Sequence, residues 1–246
     1  MEFREYGTKN KETIILLHGG GLSWWNYRDE AKILENRYHV ILPILDGHGG
    51  SDRHFISIED NAQKIIDFID SRSDGSVLLI GGLSLGGQIM LEILSQRKDI
   101  CRYAIVESAS VIPSTMTRGL IGPSIAMAYK MIENPAFSKA QFKNLKIRQD
   151  LYSDYYSDTC RIDKADLISF MRASLSYSLK DSIKNTQAEV HIYAGEKDNL
   201  NIIRSAKIIN ETIPASTLTF LPDLYHGQFS LNHPEEYVSE VLKIVE

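Results

Sequence analysis

The chain has 246 residues, 43% of them hydrophobic and 24% charged, with only 7 prolines. That make-up fits one large domain, or a domain carrying an insertion, with enough core to fold without disulfides or a structural metal, and it excludes long disordered tails. The net charge is −5 and the Lys and Arg residues are scattered, which excludes the concentrated basic surface that a nucleic-acid partner needs.

Taken in chain order, Phe3–Tyr6 reads as an antiparallel edge strand and Thr13–Leu17 as the first parallel strand, running into His18-Gly19-Gly20-Gly21. Val40–Pro43 is the next strand and leads into the turn DGHGGSD. Ser57, Ile58, Glu59 and Asp60 resemble a capping box, and Ala62, Ile65, Ile66 and Ile69 then recur at helical spacing. Val77–Ile80 is a strand that runs through Gly82-Leu83-Ser84-Leu85-Gly86 into the helical stretch QIMLEILSQ, and Tyr103–Val106 follows. From about Ile112 to Thr186 only helices are predicted. The alternation then resumes with Val190–Tyr193 and Thr217–Leu221. A last helix opens at Pro234, with Glu235 and Glu236 in its first turn and Tyr237, Val238, Val241, Leu242 and Val245 on its apolar face. Most strands are continuous apolar runs, as strands buried on both faces are. The predicted architecture is α/β: a mostly parallel sheet flanked by helices, with a core domain of residues 1–111 and 187–246 and an inserted helical cap of residues 112–186.

The chemistry gathers where strands end. Ser84 sits in a G-x-S-x-G turn between strand and helix, where the flanking glycines relieve crowding, the hydroxyl projects from the sheet, and the helix start supplies positive potential. A serine needs a base, and that base an orienting group. Of seven histidines, His226 falls on the loop just beyond the last strand and before the last helix; His191 lies within a strand, His39 at a strand entry, and His233, before Pro234, fits a helix cap better. Asp198, directly after the strand VHIYA, is the expected orienting carboxylate, with Glu107 and Asp223 as rivals. An oxyanion would be met by the backbone N–H of Leu85 and by Gly20 first or Gly21 second, where three glycines allow close approach.

These motifs resemble the α/β-hydrolase superfamily, in its capped, serine esterase and lipase-like branch. ILLHGGG resembles the oxyanion loop, LPILDGHGGSD the next strand and turn, GGLSLGG the nucleophile elbow, and AGEKD and YHGQF the acid and histidine loops, in the order Ser, Asp, His. The resemblance covers nearly the whole chain. It implies about seven to eight strands, with one edge strand of the eight missing at the short start, and a cap after the sixth strand of that scheme. Ser84 stands where the dehalogenases of the superfamily place an aspartate, and His48 and Asp46 take the place of a structural turn.

The implied function is hydrolysis of a small to medium carboxylic ester through an acyl-enzyme, with no cofactor and a small-molecule acyl substrate as partner. Cys101 and Cys160 lie far apart in no metal-ligand spacing and are read as reduced thiols. The sequence starts without the apolar core of a signal peptide, and no segment reaches the roughly 18–20 apolar residues of a membrane span, so the expected location is the cytoplasm. Two other readings keep the same pocket: C–C bond or thioester cleavage, or a lyase, for which cap residues Arg118, Arg148, Arg161 and Arg172 could meet an anionic substrate; and a slow-turnover ligand receptor. The cap residues Met116, Met127, Met131, Phe137, Phe170, Met171 and Tyr177 are divided between packing on the sheet and lining an acyl pocket.

Overall fold

The computed structural model describes residues 1–72 and 74–246, apart from the side chains of residues 115–118. Among the described residues, seven strands form one sheet: β1 (Glu2–Tyr6), β2 (Thr13–Leu17), β3 (His39–Ile44), β4 (Val77–Leu83), β5 (Cys101–Glu107), β6 (Glu189–Gly195) and β7 (Ser216–Leu221), in the order β1-β3-β2-β4-β5-β6-β7. Only β1 runs antiparallel, pairing Glu2 with Ile44 and Tyr6 with Val40. Burial follows position in the sheet. The inner strand TIILL is buried from Ile14 to Leu17, whereas edge strand β7 alternates partly buried and exposed residues.

Alternate side chains of β2 feed two cores, as the strand period of two requires. Ile15 and Leu17 join one core with α2 (Ile58–Arg72), α3 (Leu85–Gln96) and α8 (Leu200–Thr212), through Ile65, Ile69, Ile89, Ile202 and Ile209. Ile14 and Leu16 join the opposite core with α1 (Arg28–Leu34) and α10 (Pro234–Val245), through Ala31, Leu34, Tyr237 and Val241. Each fully buried Ile or Leu contributes on the order of 2 kcal/mol. Helix α2 begins as its sequence indicates: the Ser57 hydroxyl accepts from the Asp60 N–H at 3.0 Å.

Between β5 and β6 the chain runs through α4 (Thr115–Ala128), α5 (Pro135–Leu145), α6 (Tyr152–Arg161) and α7 (Lys164–Ser174) without adding a strand. This helical excursion leaves from the fifth strand of the chain. Its two ends are tied together: Ser114 N–H donates to the Leu175 carbonyl at 2.8 Å, and the Gln88 side chain on α3 donates to the carbonyls of Ser110 and Ser174 at 2.7 and 3.0 Å. Trp25 Nε1 donates to Asp158 at 2.9 Å, and the His48 ring stacks on Phe170 with centroids 4.3 Å apart, so the excursion is pinned to loops at the carboxyl ends of β2 and β3. No helix among the described residues is long and apolar enough to cross a membrane. Helix α9 (Gln228–Asn232) is short and lies between β7 and α10.

Candidate active site

The strand that carries Ser84 ends so abruptly that its backbone takes φ 53° and ψ −111°. A side-chain-bearing residue pays about 1–3 kcal/mol for such a conformation, and surrounding bonds must hold it. Ser84 N–H donates to the Glu107 carbonyl at 2.8 Å, and its own carbonyl accepts from Gln88 N–H at 2.9 Å. The turn can be this tight because Gly86 brings its Cα against β2; a Cβ there would stand 2.1 Å from the Leu17 carbonyl oxygen.

The loops after β6 and β7 are stitched to each other by backbone bonds, Glu196 N–H to Leu221 O at 3.0 Å and Lys197 N–H to Leu224 O at 2.9 Å. That pairing brings Asp198 to His226. Nδ1 of His226 lies 3.0 and 3.2 Å from the two Asp198 oxygens, and Nε2 lies 3.1 Å from Ser84 Oγ. The three side chains singled out from the sequence therefore meet in one hydrogen-bonded row. Asp198 is 1% exposed at its side chain and also accepts from the Asn199 N–H at 2.8 Å. Asn199, not Asp198, caps α8, accepting from Asn201 and Ile202, which leaves the carboxylate free for the histidine. Burial pulls the His226 imidazole down, but the hydrogen bond and charge of Asp198, with the charge of Glu107, outweigh it and leave the pKa above the ordinary 6.5.

The remaining histidines are elsewhere. His39 pairs with Glu5 across β1 and β3 at 2.8 Å, and His191 lies beside Thr217 and Glu189. His18 is wholly buried, its Nδ1 donating to Gly19 O at 2.9 Å and its Nε2 accepting from Leu45 N–H at 3.0 Å, so it fastens the glycine loop to the turn after β3. Burial first, then the charge of His48, hold it well below 6.5 and neutral. Gly20 faces Leu85 closely, with a Cβ on Gly20 falling 3.6 Å from that of Leu85. Leu85 opens α3, so its N–H has no acceptor within the helix. Gly19 N–H donates to Asn26 Oδ1 at 3.2 Å, which fixes the loop that carries Gly20 and Gly21.

Of the rival carboxylates, Asp223 pairs with Lys197 at 2.6 Å on the surface. Glu107 is 1% exposed and takes a position that the sequence did not reveal: its Oε1 accepts from Phe229 and Ser230 N–H at 3.1 and 3.3 Å, in the first turn of α9 just past His226. It is a positioning residue for the histidine loop. Burial pushes its carboxyl up to about 7. The unfolded chain releases this proton near 4.5 while the folded protein keeps it to about 7, so folding stability falls as pH rises through that window. Glu107→Gln keeps the acceptor without the charge, and urea titrations are expected to show it gaining about 2–3 kcal/mol on wild type between pH 5 and pH 8; parallel profiles would rule that account out.

A cavity of about 600 Å³ opens above Ser84 and His226, lined by the glycine loop, the loops of Asp198 and His226, and the helical excursion. Its apolar wall includes Ile132, Ile147, Ile162, Leu167, Met171 and Leu231. Of the aromatic and sulfur side chains expected to divide between core and pocket, Phe170 and Tyr177 are core, Met171 lines the cavity, and Met127 and Met131 are exposed. Met116 and Arg118 lie outside the described residues. Arg148 and Arg161 are held by Asp29 and Asp158, and the cations at the cavity are instead Lys146 and Lys197.

A mostly parallel α/β sheet with a serine on a strained elbow, facing a histidine at the carboxyl ends of the strands, defines the hydrolase class of α/β enzymes. The chain belongs to the alpha/beta hydrolase family, which its residues 14–240 match. It is 22% identical to Lipase 1 of Psychrobacter immobilis, over 92% of this chain and 74% of that protein. An AB hydrolase superfamily protein of Gibberella zeae is 27% identical over 53% of this chain, and the match spans 46% of that protein. Among solved structures, an esterase from Exiguobacterium antarcticum superposes with a TM-score of 0.83 at 20% identity, covering 99% of this chain and 94% of the other, a likeness of fold.

Proposed function

We propose that the protein is a serine esterase that cleaves a carboxylic ester of small to medium acyl size. The observation that carries this reading is the 3.1 Å contact of Ser84 Oγ with His226 Nε2, on a strained elbow that opens into the cavity. His226 takes the hydroxyl proton as Ser84 Oγ bonds to the ester carbonyl carbon, and Asp198 fixes the imidazole tautomer. The N–H groups of Gly20 and Leu85 stabilise the oxyanion. The C–O bond to the alcohol then breaks, and the alcohol leaves with the proton from His226. Water, deprotonated by His226, releases the acid from Ser84. Residues 112–186 act as a cap that closes an apolar acyl pocket over the serine and, as the esterase-like relatives do, the protein takes a small-molecule substrate. We place it in the cytoplasm.

Rapid mixing with p-nitrophenyl esters of graded acyl length tests the reading. The expected result is a burst of one p-nitrophenol per active site, with the acyl group trapped on Ser84 in the digested protein. If every ester is untouched, the esterase reading fails, and C–C or thioester cleavage or slow ligand capture takes its place.

A further inference from the structure

The cavity has an uneven electrostatic lining. Asp198 is its one carboxylate among the described residues, and that group is engaged by His226 and Asn199. Two lysines line the same cavity, Lys146 at the end of α5 and Lys197 directly before Asp198. Lys197 is answered by Asp223 at 2.6 Å. Lys146 has no carboxylate partner among the described residues; its ammonium lies 3.2 Å from the centre of the Tyr225 ring, beside His226 in sequence, and Lys197 sits 5.8 Å from the same ring. A ring face holds an ammonium in place without cancelling its charge.

Lys146 is also built into its position. Its backbone is left-handed, φ 58°, in a residue that is not glycine. Its carbonyl accepts from the side chains of Gln228 at 2.5 Å and Asn232 at 3.0 Å, both on α9, the helix that follows the histidine loop. Low-dielectric apolar walls concentrate the field of Lys146 on whatever enters the cavity.

We infer that the cavity selects esters carrying an anionic group, a carboxylate in the first instance, at the end remote from the reacting carbonyl, with Lys146 over Tyr225 as its recognition point. This rests on the esterase reading of the same site. The apolar wall receives the chain of such a substrate, and Lys146 meets its charge.

The test uses matched esters. On the acyl side, monomethyl esters of straight-chain dicarboxylic acids are compared with methyl esters of monocarboxylic acids of equal length. On the alcohol side, butyrates of hydroxy acids are compared with butyrates of plain alcohols. In one of the two series wild type is expected to favour the anionic member by about fivefold in kcat/KM at low salt, which is the scale of a single partly exposed ion pair. The preference should shrink as salt screens it. Lys146→Met should bring the anionic-to-neutral ratio close to one, and Lys146→Arg should restore part of it. An unchanged ratio in Lys146→Met, or a preference for the neutral member in both series, overturns the inference while leaving the esterase reading intact. If no ester turns over, that reading fails by itself, and the inference is then decided by calorimetry. Monomethyl adipate must bind Ser84→Ala about fivefold more tightly than it binds the Ser84→Ala, Lys146→Met double variant, and equal affinities overturn it.

Discussion

Ser84→Ala is expected to lower kcat on p-nitrophenyl esters by a factor on the order of 10⁵, with the fold unchanged. The size follows from the roles proposed for the row Ser84, His226 and Asp198, whose groups are spaced at 3.0 to 3.2 Å. With the nucleophile gone, His226 has no hydroxyl to activate, and what remains is binding and the polarising N–H groups of the glycine loop. Groups that act as a unit are not additive, so His226→Ala should cost about as much, and the double variant little more. Alanine keeps the positive φ that Ser84 adopts, so the substitution neither adds nor relieves backbone strain, and the thermal midpoint should move little. Steady-state rates on the three variants decide the matter. A Ser84→Ala protein within tenfold of wild type removes Ser84 from the chemistry, and a double variant whose losses multiply shows that Ser84 and His226 do not act as a unit.

What the sequence made legible has a common cause. The parallel strands are read from continuous apolar runs because each is buried on both faces, and Ile14 to Leu17 are all within the two cores. The row Ser84, Asp198, His226 is accessible to sequence reasoning because each residue falls just past a strand, and a parallel sheet delivers all such loops to one edge. What escaped depends on side chains reaching across the fold. Glu107 and Asp198 both lie at the carboxyl ends of strands and are equivalent on that criterion; only the distances show that Asp198 meets the histidine and Glu107 meets the N–H groups of Phe229 and Ser230. The helical excursion is the harder case. Its periodicity marks helices but not which face meets the cavity, so Ile132, Ile147 and Leu167, rather than the methionines as a group, form the wall. The same limit hid Lys146, whose importance lies in a tertiary contact with Tyr225 79 positions later in the chain.

The supports around the histidine also share a logic. Its loop is held at Tyr225 N–H by the Gln228 side chain at 2.9 Å, at Phe229 and Ser230 by Glu107, and by the backbone bonds to the loop of Asp198. Gln228 and Asn232 reach back to Lys146 as well, so the loop that places His226 and the end of α5 share one set of amide side chains. A site that works within tenths of an ångström needs such a supporting layer.

Asp198→Asn separates the two carboxylates by the pH at which the base works. In wild type, Asp198 holds the imidazole pKa above 6.5 against its burial, so kcat/KM should climb with pH along a limb that lies above that value, as the neutral base appears. An asparagine removes the charge, and burial then acts with little opposition, so the limb should shift to lower pH. The rate on its plateau should nonetheless fall by about 10⁴, because an amide N–H facing Nδ1 favours the tautomer with the proton on Nε2, which cannot accept one from Ser84. A rate loss together with a limb displaced towards acid is a combination that general destabilisation does not produce. Glu107→Gln provides the contrast: Glu107 adds charge to His226 from a distance and bonds to Phe229 and Ser230 of α9, so its limb should move slightly and its plateau stay within about tenfold. If the pattern is reversed, with Glu107→Gln carrying the large loss and the shifted limb, then Glu107 is the orienting acid and Asp198 serves the loop.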